Sequence, residues 1–161
     1  PCCGSCNKRK SAQDLPYSLY YEDGEPHPSP LHFAISPQDV IAFQTKGKCR
    51  GIKAYLCDDE KPGQSVVAKK DGTLAERFNF IFDIDKIYAE HDDEVEELLW
   101  RNRIYTKGIV DAANQQFADL DIEGFDFDRY ILGTYAKKDE ALKRPLTVMK
   151  QDVWEQIMKV E

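Results

Sequence analysis

The sequence lacks long apolar segments. No run approaches the roughly 20 residues that a membrane-spanning helix needs, and the N-terminus carries no apolar signal-peptide stretch. We therefore expect a chain made in a cytosol, without a transmembrane segment. A basic excess is also lacking, because 22 Lys and Arg stand against 29 Asp and Glu. Phosphate binding needs a basic face, so direct nucleic-acid binding is not expected.

Sequence motifs of common catalysts are missing too. There is no glycine-rich phosphate loop, no G-x-S-x-G and no H-E-x-x-H, and the chain has only three histidines. A Ser-His-Asp or Cys-His group is set by position in space, so residue order alone cannot nominate one. No residue stands out as catalytic, and we favour a non-enzymatic protein.

The size and composition are those of one folded domain. The chain has 161 residues, of which 42% are hydrophobic and 32% charged. A chain of this length buries a core large enough for a single domain, and its composition is far from that of disordered proteins. We expect a Cys-rich basic arm over residues 1–14 and a single α+β domain over residues 15–161.

The strand signals predict a mixed or antiparallel sheet of five to six strands, packed by three to four helices. A strand over "FNFIFDI" (78–84) would place Phe78, Phe80, Phe82 and Ile84 on one face, and this period-2 pattern predicts a central strand. Asp71-Gly72 is a typical two-residue hairpin turn, which predicts strands on both of its sides. Further strands are predicted at "LPYSLYY" (15–21), "LHFAI" (31–35), "GIKAYLC" (51–57) and "RYILGTYA" (129–136).

Helix signals mark three other parts of the chain. Ser36 followed by Pro37 predicts a helix start, and Gly47 predicts its end. A second helix is predicted from Asp92, with Gly108 ending or interrupting it. "KQDVWEQIMKV" (150–160) predicts a closing helix. The inward stripe of the second helix is predicted to be Val95, Leu98, Leu99 and Asn102.

Three of the five cysteines lie within the first six residues. Cys3 and Cys6 form a C-x-x-C, whose two thiolates can reach one zinc ion, and Cys2 could supply a third ligand. Cys49 or one of the histidines His27 and His32 could be the fourth ligand, since a second C-x-x-C is absent. Thiol redox chemistry, lipidation and an inert tail remain alternatives; the redox alternative lacks the preceding strand it normally requires.

The cysteines are followed by Lys8, Arg9 and Lys10. We expect these cations to dock the arm on the acidic surface of a neighbouring protein subunit. An arm without a core of its own becomes ordered only through an external anchor, which could be a metal, a disulfide or that neighbour.

Two acidic groups are candidates for cation binding. Asp119, Asp121 and Gly124 in "DLDIEGFDFDRY" match an EF-hand calcium loop, but Tyr130 stands where the bidentate Glu belongs. A solvated acidic loop is therefore favoured over tight calcium binding. Asp83 and Asp85 are predicted to share one face at a strand end, where they could bind Mg²⁺. The remaining acids of the possible cation loop are Glu123, Asp126 and Asp128.

The opening residues "PCCGSCNKRK" resemble the start of several small accessory proteins of tailed-phage virions. The resemblance covers ten of the 161 residues. It implies a non-enzymatic component of a virion head, neck or tail, whose arm is held between subunits or on zinc.

Our main hypothesis is thus a structural or assembly protein that is oligomeric in its assembly. The rivals are a metal-dependent phosphoryl-transfer or hydrolytic enzyme, which would use Asp83, Asp85 and the acids of residues 119–128, and a lipid-anchored adaptor.

Overall fold

The computed structural model describes residues 29–58, 67–119 and 126–159, together with positions 4, 8 and 10. These residues are mostly helical, and their only sheet has two strands. The expected sheet of five to six strands is therefore wrong. The predicted strand at residues 15–21 lies outside the described residues.

Nine helices and strands succeed one another in the described ranges between residues 29 and 159. They are β1 (His32–Ile35), α1 (Pro37–Lys46), β2 (Ala54–Cys57), α2 (Leu74–Phe82), α3 (Ile84–Tyr88), α4 (Asp92–Ile104), α5 (Lys107–Asp119), α6 (Phe127–Leu132) and α7 (Thr147–Met158). Two short 3₁₀ helices, Ala89–His91 and Lys138–Lys143, precede α4 and α7.

The strands predicted at residues 31–35 and 51–57 are confirmed, and they pair with each other. β1 and β2 are antiparallel, with Phe33 opposite Leu56 and Ile35 opposite Ala54. Ile35, Ala54 and Leu56 are buried in the core. The small sheet thus contributes one apolar face to a core that helices otherwise build.

The predicted start and end of α1 are also confirmed. The Ser36 hydroxyl accepts a hydrogen bond from the backbone N–H of Asp39 at 3.1 Å. Gly47 ends the helix with φ +66°, a left-handed conformation that glycine adopts without a steric penalty. Local capping signals were sufficient to predict α1 because residues at each end of the helix bond to its free backbone N–H and C=O groups.

The predicted central strand at residues 78–84 is wrong, because "FNFIF" belongs to helix α2. Thr73 and Glu76 form a reciprocal capping box at its start, each side chain bonded to the other's backbone N–H. Phe78 and Phe82 lie one turn apart, with ring centroids at 5.7 Å, and both are buried. Phe80, which the strand pattern placed beside them, is 42% exposed.

The other strand predictions fail for related reasons. No hairpin forms at Asp71-Gly72, because the following residues enter the capping box of α2. "RYIL" (129–132) lies in α6, which ends at Gly133 with φ +64°. Gly108 neither ends nor interrupts α4, since it lies in the first turn of the separate helix α5.

The two remaining predicted helices are confirmed as α4 and α7. Val95, Leu98, Leu99 and Asn102 are all buried, as the stripe predicted. On α7, Val153 and Ile157 enter the same core. None of the helices in the described ranges combines the length and apolarity needed to cross a membrane.

Helix side chains cover both outer edges of the two-stranded sheet. Asp152 Oδ2 accepts from the N–H of Phe33 at 2.9 Å. The carboxamide of Gln156 accepts from the N–H of Ile35 at 2.9 Å and donates to its C=O at 3.0 Å. On the other edge, Asp85 Oδ1 accepts from the N–H of Leu56 at 3.0 Å. These contacts satisfy groups that an edge strand would otherwise expose.

Candidate interaction site

Most of the predicted arm lies outside the described residues. Cys2, Cys3, Cys6 and Arg9 are among the undescribed positions. Lys8 and Lys10 have helical backbone, the former exposed and the latter half-buried. Zinc binding and docking by the arm therefore stay predictions.

Cys49, the proposed fourth zinc ligand, is buried, and its thiol forms no disulfide with Cys57, the other described cysteine. Its Sγ lies 3.6 Å from the C=O of Gly47. Burial raises the pKa of the Cys49 thiol, although Arg103 acts in the opposite direction. A raised pKa disfavours the thiolate, which is the form that binds metals.

Asp83 and Asp85 do not share a strand face, because residues 78–82 and 84–88 are helical. Asp83 links α2 and α3 in a left-handed conformation with φ +52°. Asp85 uses one oxygen for the N–H of Leu56, while its other oxygen accepts from Asn79 Nδ2 at 3.0 Å. Burial raises the pKa of Asp85, and these two hydrogen bonds oppose that shift. The Asp85 carboxylate thus joins β2 to the α2–α3 junction.

The predicted acidic loop is only partly described. Asp119 is the last residue of α5, while Asp121 and Glu123 lie outside the described residues. Asp126 caps α6 by accepting from the N–H of Arg129 at 3.0 Å. Asp128 accepts from Asn114 Nδ2 at 3.4 Å. Within the described part of the chain, no group of three or more His, Cys, Asp or Glu is arranged to hold a metal ion.

A surface that was not predicted lies on the outward side of α4. Trp100 is 49% exposed and Ile104 is 60% exposed. Both lie on the side of the helix away from Val95 and Leu99, which are buried. Asp93, Glu97, Trp100 and Ile104 follow one another at intervals of four, three and four residues, which puts all four side chains on one face. We call Asp93, Glu97, Trp100 and Ile104 the Trp100 face.

The Trp100 face carries negative charge beside its two apolar side chains. The segment 83–97 contains eight Asp and Glu and one Lys, whereas Arg101, Arg103 and Lys107 lie at the C-terminal end of α4 and just beyond it. Several of these acids face other parts of the fold, since Glu94 pairs with Lys150 at 2.6 Å and Glu96 with Arg50 at 3.2 Å. Glu97 is 63% exposed and meets Arg101 only at 3.9 Å. The face therefore combines exposed aromatic surface with weakly neutralised acid.

A basic group surrounds Tyr135 in another part of the chain. Arg129 lies over the Tyr135 ring at 4.4 Å from its centroid, with Lys143 at 5.2 Å and Arg144 at 5.9 Å. Lys143 donates to Glu140 at 2.6 Å, a hydrogen bond that lowers the pKa of Glu140. Among the described residues, neither Arg129 nor Arg144 makes a salt bridge, although the charge of Arg129 helps to lower the pKa of Glu140. We call Arg129, Tyr135, Lys143 and Arg144 the Tyr135 cluster.

A pocket of about 370 Å³ adjoins the Tyr135 cluster at the start of α7. We call it the α7 pocket. Lys143 and Arg144 line it, so it shares two cations with the cluster. Its other walls include the side chains of Tyr88, Pro145, Leu146 and Val148. An open site lined by both apolar residues and cations suits a ligand that is both apolar and acidic.

Sequence reasoning missed these surfaces for different reasons. Trp100 could have been found, because it lies opposite the predicted stripe of α4. The Tyr135 cluster and the α7 pocket depend on how α6, the 3₁₀ helix Lys138–Lys143 and α7 fold together.

No protein-family model, curated protein or solved structure matches the chain.

Proposed function

We propose that this chain is a non-enzymatic subunit of a larger protein assembly and binds a partner protein through the Trp100 face. The observation that carries this proposal is the exposure of Trp100 and Ile104 on consecutive turns of α4. Large apolar side chains exposed together are typical of interaction sites, and Trp is the residue most enriched among energetically dominant interface contacts.

The chemistry of the face also specifies the partner. Asp93 and Glu97 flank the two apolar side chains, so a matching surface offers cations around an apolar recess. The acidic character of segment 83–97 would steer a basic surface of the partner toward the face and repel acidic surfaces.

The polar groups inside the fold support a structural role for its buried acids. Asp58 accepts from the N–H of Ala75 at 2.8 Å, in the first turn of α2. Asp85 and Asp152 likewise accept hydrogen bonds from backbone N–H groups, at the two edges of the sheet. In the described ranges, every buried side-chain nitrogen and oxygen has a hydrogen-bond partner. The metal-dependent enzyme that Asp83 and Asp85 would form gains no support from these contacts.

The N-terminal arm adds a second proposed contact. Cys2, Cys3 and Cys6 would hold zinc, and Lys8 to Lys10 would meet an acidic neighbour. The virion context implied by the opening residues and the lipid-anchored alternative both stay predictions, since they fall on residues outside the described ranges.

Site-specific photo-crosslinking tests the proposed function. A photoreactive amino acid replaces Ile104 in the full chain, expressed in the cells or particles that naturally contain it. A matched variant carries the same group at Ile41, which is 58% exposed on α1. We expect one defined protein to be crosslinked from position 104 and not from position 41.

Trp100→Ala in the position-104 variant provides the specificity control. The expected result is loss of that crosslink, because the substitution removes the aromatic anchor. Equal crosslinking from both positions, or a crosslink unaffected by Trp100→Ala, would contradict binding through the Trp100 face.

A further inference from the structure

We propose that the partner is a second copy of this chain, whose α7 pocket receives Trp100 while its cations meet Asp93 and Glu97. This inference rests on the proposed function, because it names the occupant of the same face. Each copy then supplies one acidic aromatic surface and one basic recess.

Trp100 and the α7 pocket are complementary in size and polarity. Trp100 is a large side chain with half its surface exposed, and the α7 pocket is a recess of about 370 Å³. The pocket walls include Tyr88, Pro145 and Leu146, which offer apolar contact to an indole ring. An aromatic anchor seated in a partner's pocket is the arrangement that dominates the binding energy of many interfaces.

The charges of the Tyr135 cluster and of the Trp100 face are complementary. Arg144 lines the pocket and Arg129 belongs to the Tyr135 cluster. Neither makes a salt bridge among the described residues, although the charge of Arg129 acts on Glu140. Asp93 and Glu97 flank Trp100 on the opposing surface. Pairing the two surfaces gives each arginine a carboxylate and lets a guanidinium approach the indole face.

Acidic and basic residues are concentrated in different segments of the chain. Segment 83–97 has eight acids and one lysine, whereas segment 129–144 has five cations and two acids. The whole chain carries a net charge of −7, so two copies repel each other in most orientations. An orientation that brings the basic segment of one copy to the acidic segment of another is favoured over the rest.

Sedimentation velocity of the purified full chain tests the inference. Across a dilution series at low salt, we expect the mean mass to rise above that of the monomer as concentration increases. Added salt is expected to shift the association toward monomer, because the charges flanking the recess are accessible to ions. A monomer at every concentration and salt level would overturn the inference.

Charge reversal locates the contact. One variant carries Asp93→Lys with Glu97→Lys, and the other carries Arg129→Glu with Arg144→Glu. Each variant alone presents two surfaces of like charge, so its self-association is expected to weaken at least about a hundredfold. The control reverses two exposed lysines elsewhere, Lys53→Glu with Lys70→Glu, and is expected to retain association.

The decisive experiment mixes the two charge-reversed variants. In the mixture each acidic surface meets a basic one, so we expect association to return when the two are combined in equal amounts. Two variants that stay monomeric when mixed, although circular dichroism shows both folded, would overturn the proposed pairing.

The outcome also separates this inference from the proposed function. A crosslink from position 104 to a different protein, together with a monomeric purified chain, would overturn the second copy as partner and leave the proposed function standing. Absence of both the crosslink and the association would overturn both.

Discussion

Asp152 and Phe33, 119 residues apart in sequence, are joined by a hydrogen bond of 2.9 Å from the Phe33 N–H to the Asp152 carboxylate. Through this bond and the paired bonds of Gln156 to Ile35, helix α7 occupies the position that a third strand would take beside β1. Among the described residues the sheet has two strands, and side chains bond to backbone groups on both of its edges.

Removal of the Asp152 carboxylate should destabilise the fold. Asp152→Ala leaves the half-buried N–H of Phe33 without its acceptor, which costs about 1–3 kcal/mol of unfolding free energy. Glu155→Ala, on the same helix, removes only exposed ion pairs to Lys138 and Lys159, so a loss below about 1 kcal/mol is expected. Urea denaturation of both variants measures the difference. Equal losses would contradict the role assigned to Asp152.

The same carboxylate should make stability depend on pH. Burial raises the pKa of Asp152 above its ordinary value of 3.8, against the opposing effects of Phe33, Lys138 and His32. The folded state then holds its proton more tightly than the unfolded state, so stability falls as pH rises from about 3.8 through the raised value. Asp152→Asn removes this titration while keeping an acceptor for Phe33. It should gain stability relative to the native chain as pH rises through that window.

Glu155 supplies a control of opposite sign. Hydrogen bonds from Lys159 and Lys138 lower the pKa of Glu155 below its ordinary 4.5. Its contribution is present above pH 4.5 and disappears as pH falls through the lowered value. Glu155→Gln should therefore lose stability relative to the native chain as pH rises. Urea titrations from about pH 3 to about pH 7 compare the two variants, and parallel trends would contradict both assignments.

Gly47 should tolerate substitution less well than Gly51. Both have a left-handed backbone, with φ +66° and +70°. An added methyl group at Gly47 would overlap the guanidinium of Arg103, which lies over the Phe43 ring, whereas nothing lies within 4 Å of the corresponding position at Gly51. Gly51→Ala should cost about 1–2 kcal/mol for the backbone alone, and Gly47→Ala slightly more, because the exposed Arg103 guanidinium must shift away from the Phe43 ring. Thermal unfolding of the two variants distinguishes these effects; a smaller loss at Gly47 would contradict the packing of Arg103.

The cysteine arm is expected to carry zinc. Elemental analysis of the purified full chain should find about one zinc ion per chain, because two thiolates of a C-x-x-C and a third nearby thiolate can bind one ion. Cys3→Ser with Cys6→Ser should remove the metal. Cys57→Ala is the control, since Cys57 is fully buried in the core. A metal-free native chain, or zinc retained after the double substitution, would contradict the predicted site.

Local signals predicted some elements of this fold and failed for others. Ser36, Pro37 and Gly47 delimited α1 because capping acts within a few residues. In α2 the aromatic residues at 78, 80 and 82 suggested a strand, although Thr73-x-x-Glu76 carried a helix-start signal of equal strength. Apolar residues recur at both periods in this segment, so periodicity alone could not decide between helix and strand.

The candidate interaction site could likewise be predicted only in part from the sequence. Trp100 lies opposite the stripe containing Val95 and Leu99, so its exposure could have been inferred once α4 was predicted. The Tyr135 cluster joins residues from α6 and from the approach to α7, and no local pattern reveals such a grouping. The same holds for Asp85 and Asp152, whose backbone partners lie 29 and 119 residues away.

Fluorescence quenching of Trp100 tests the central claim most directly. Trp154 is buried, so a Trp154→Phe variant leaves Trp100 as the single tryptophan of a chain that has two. If the Trp100 face binds a second copy, acrylamide quenching should decrease and the emission should shift to the blue as protein concentration rises. Arg129→Glu with Arg144→Glu in the same background should abolish that change. Quenching that stays constant over the whole concentration range would contradict the account.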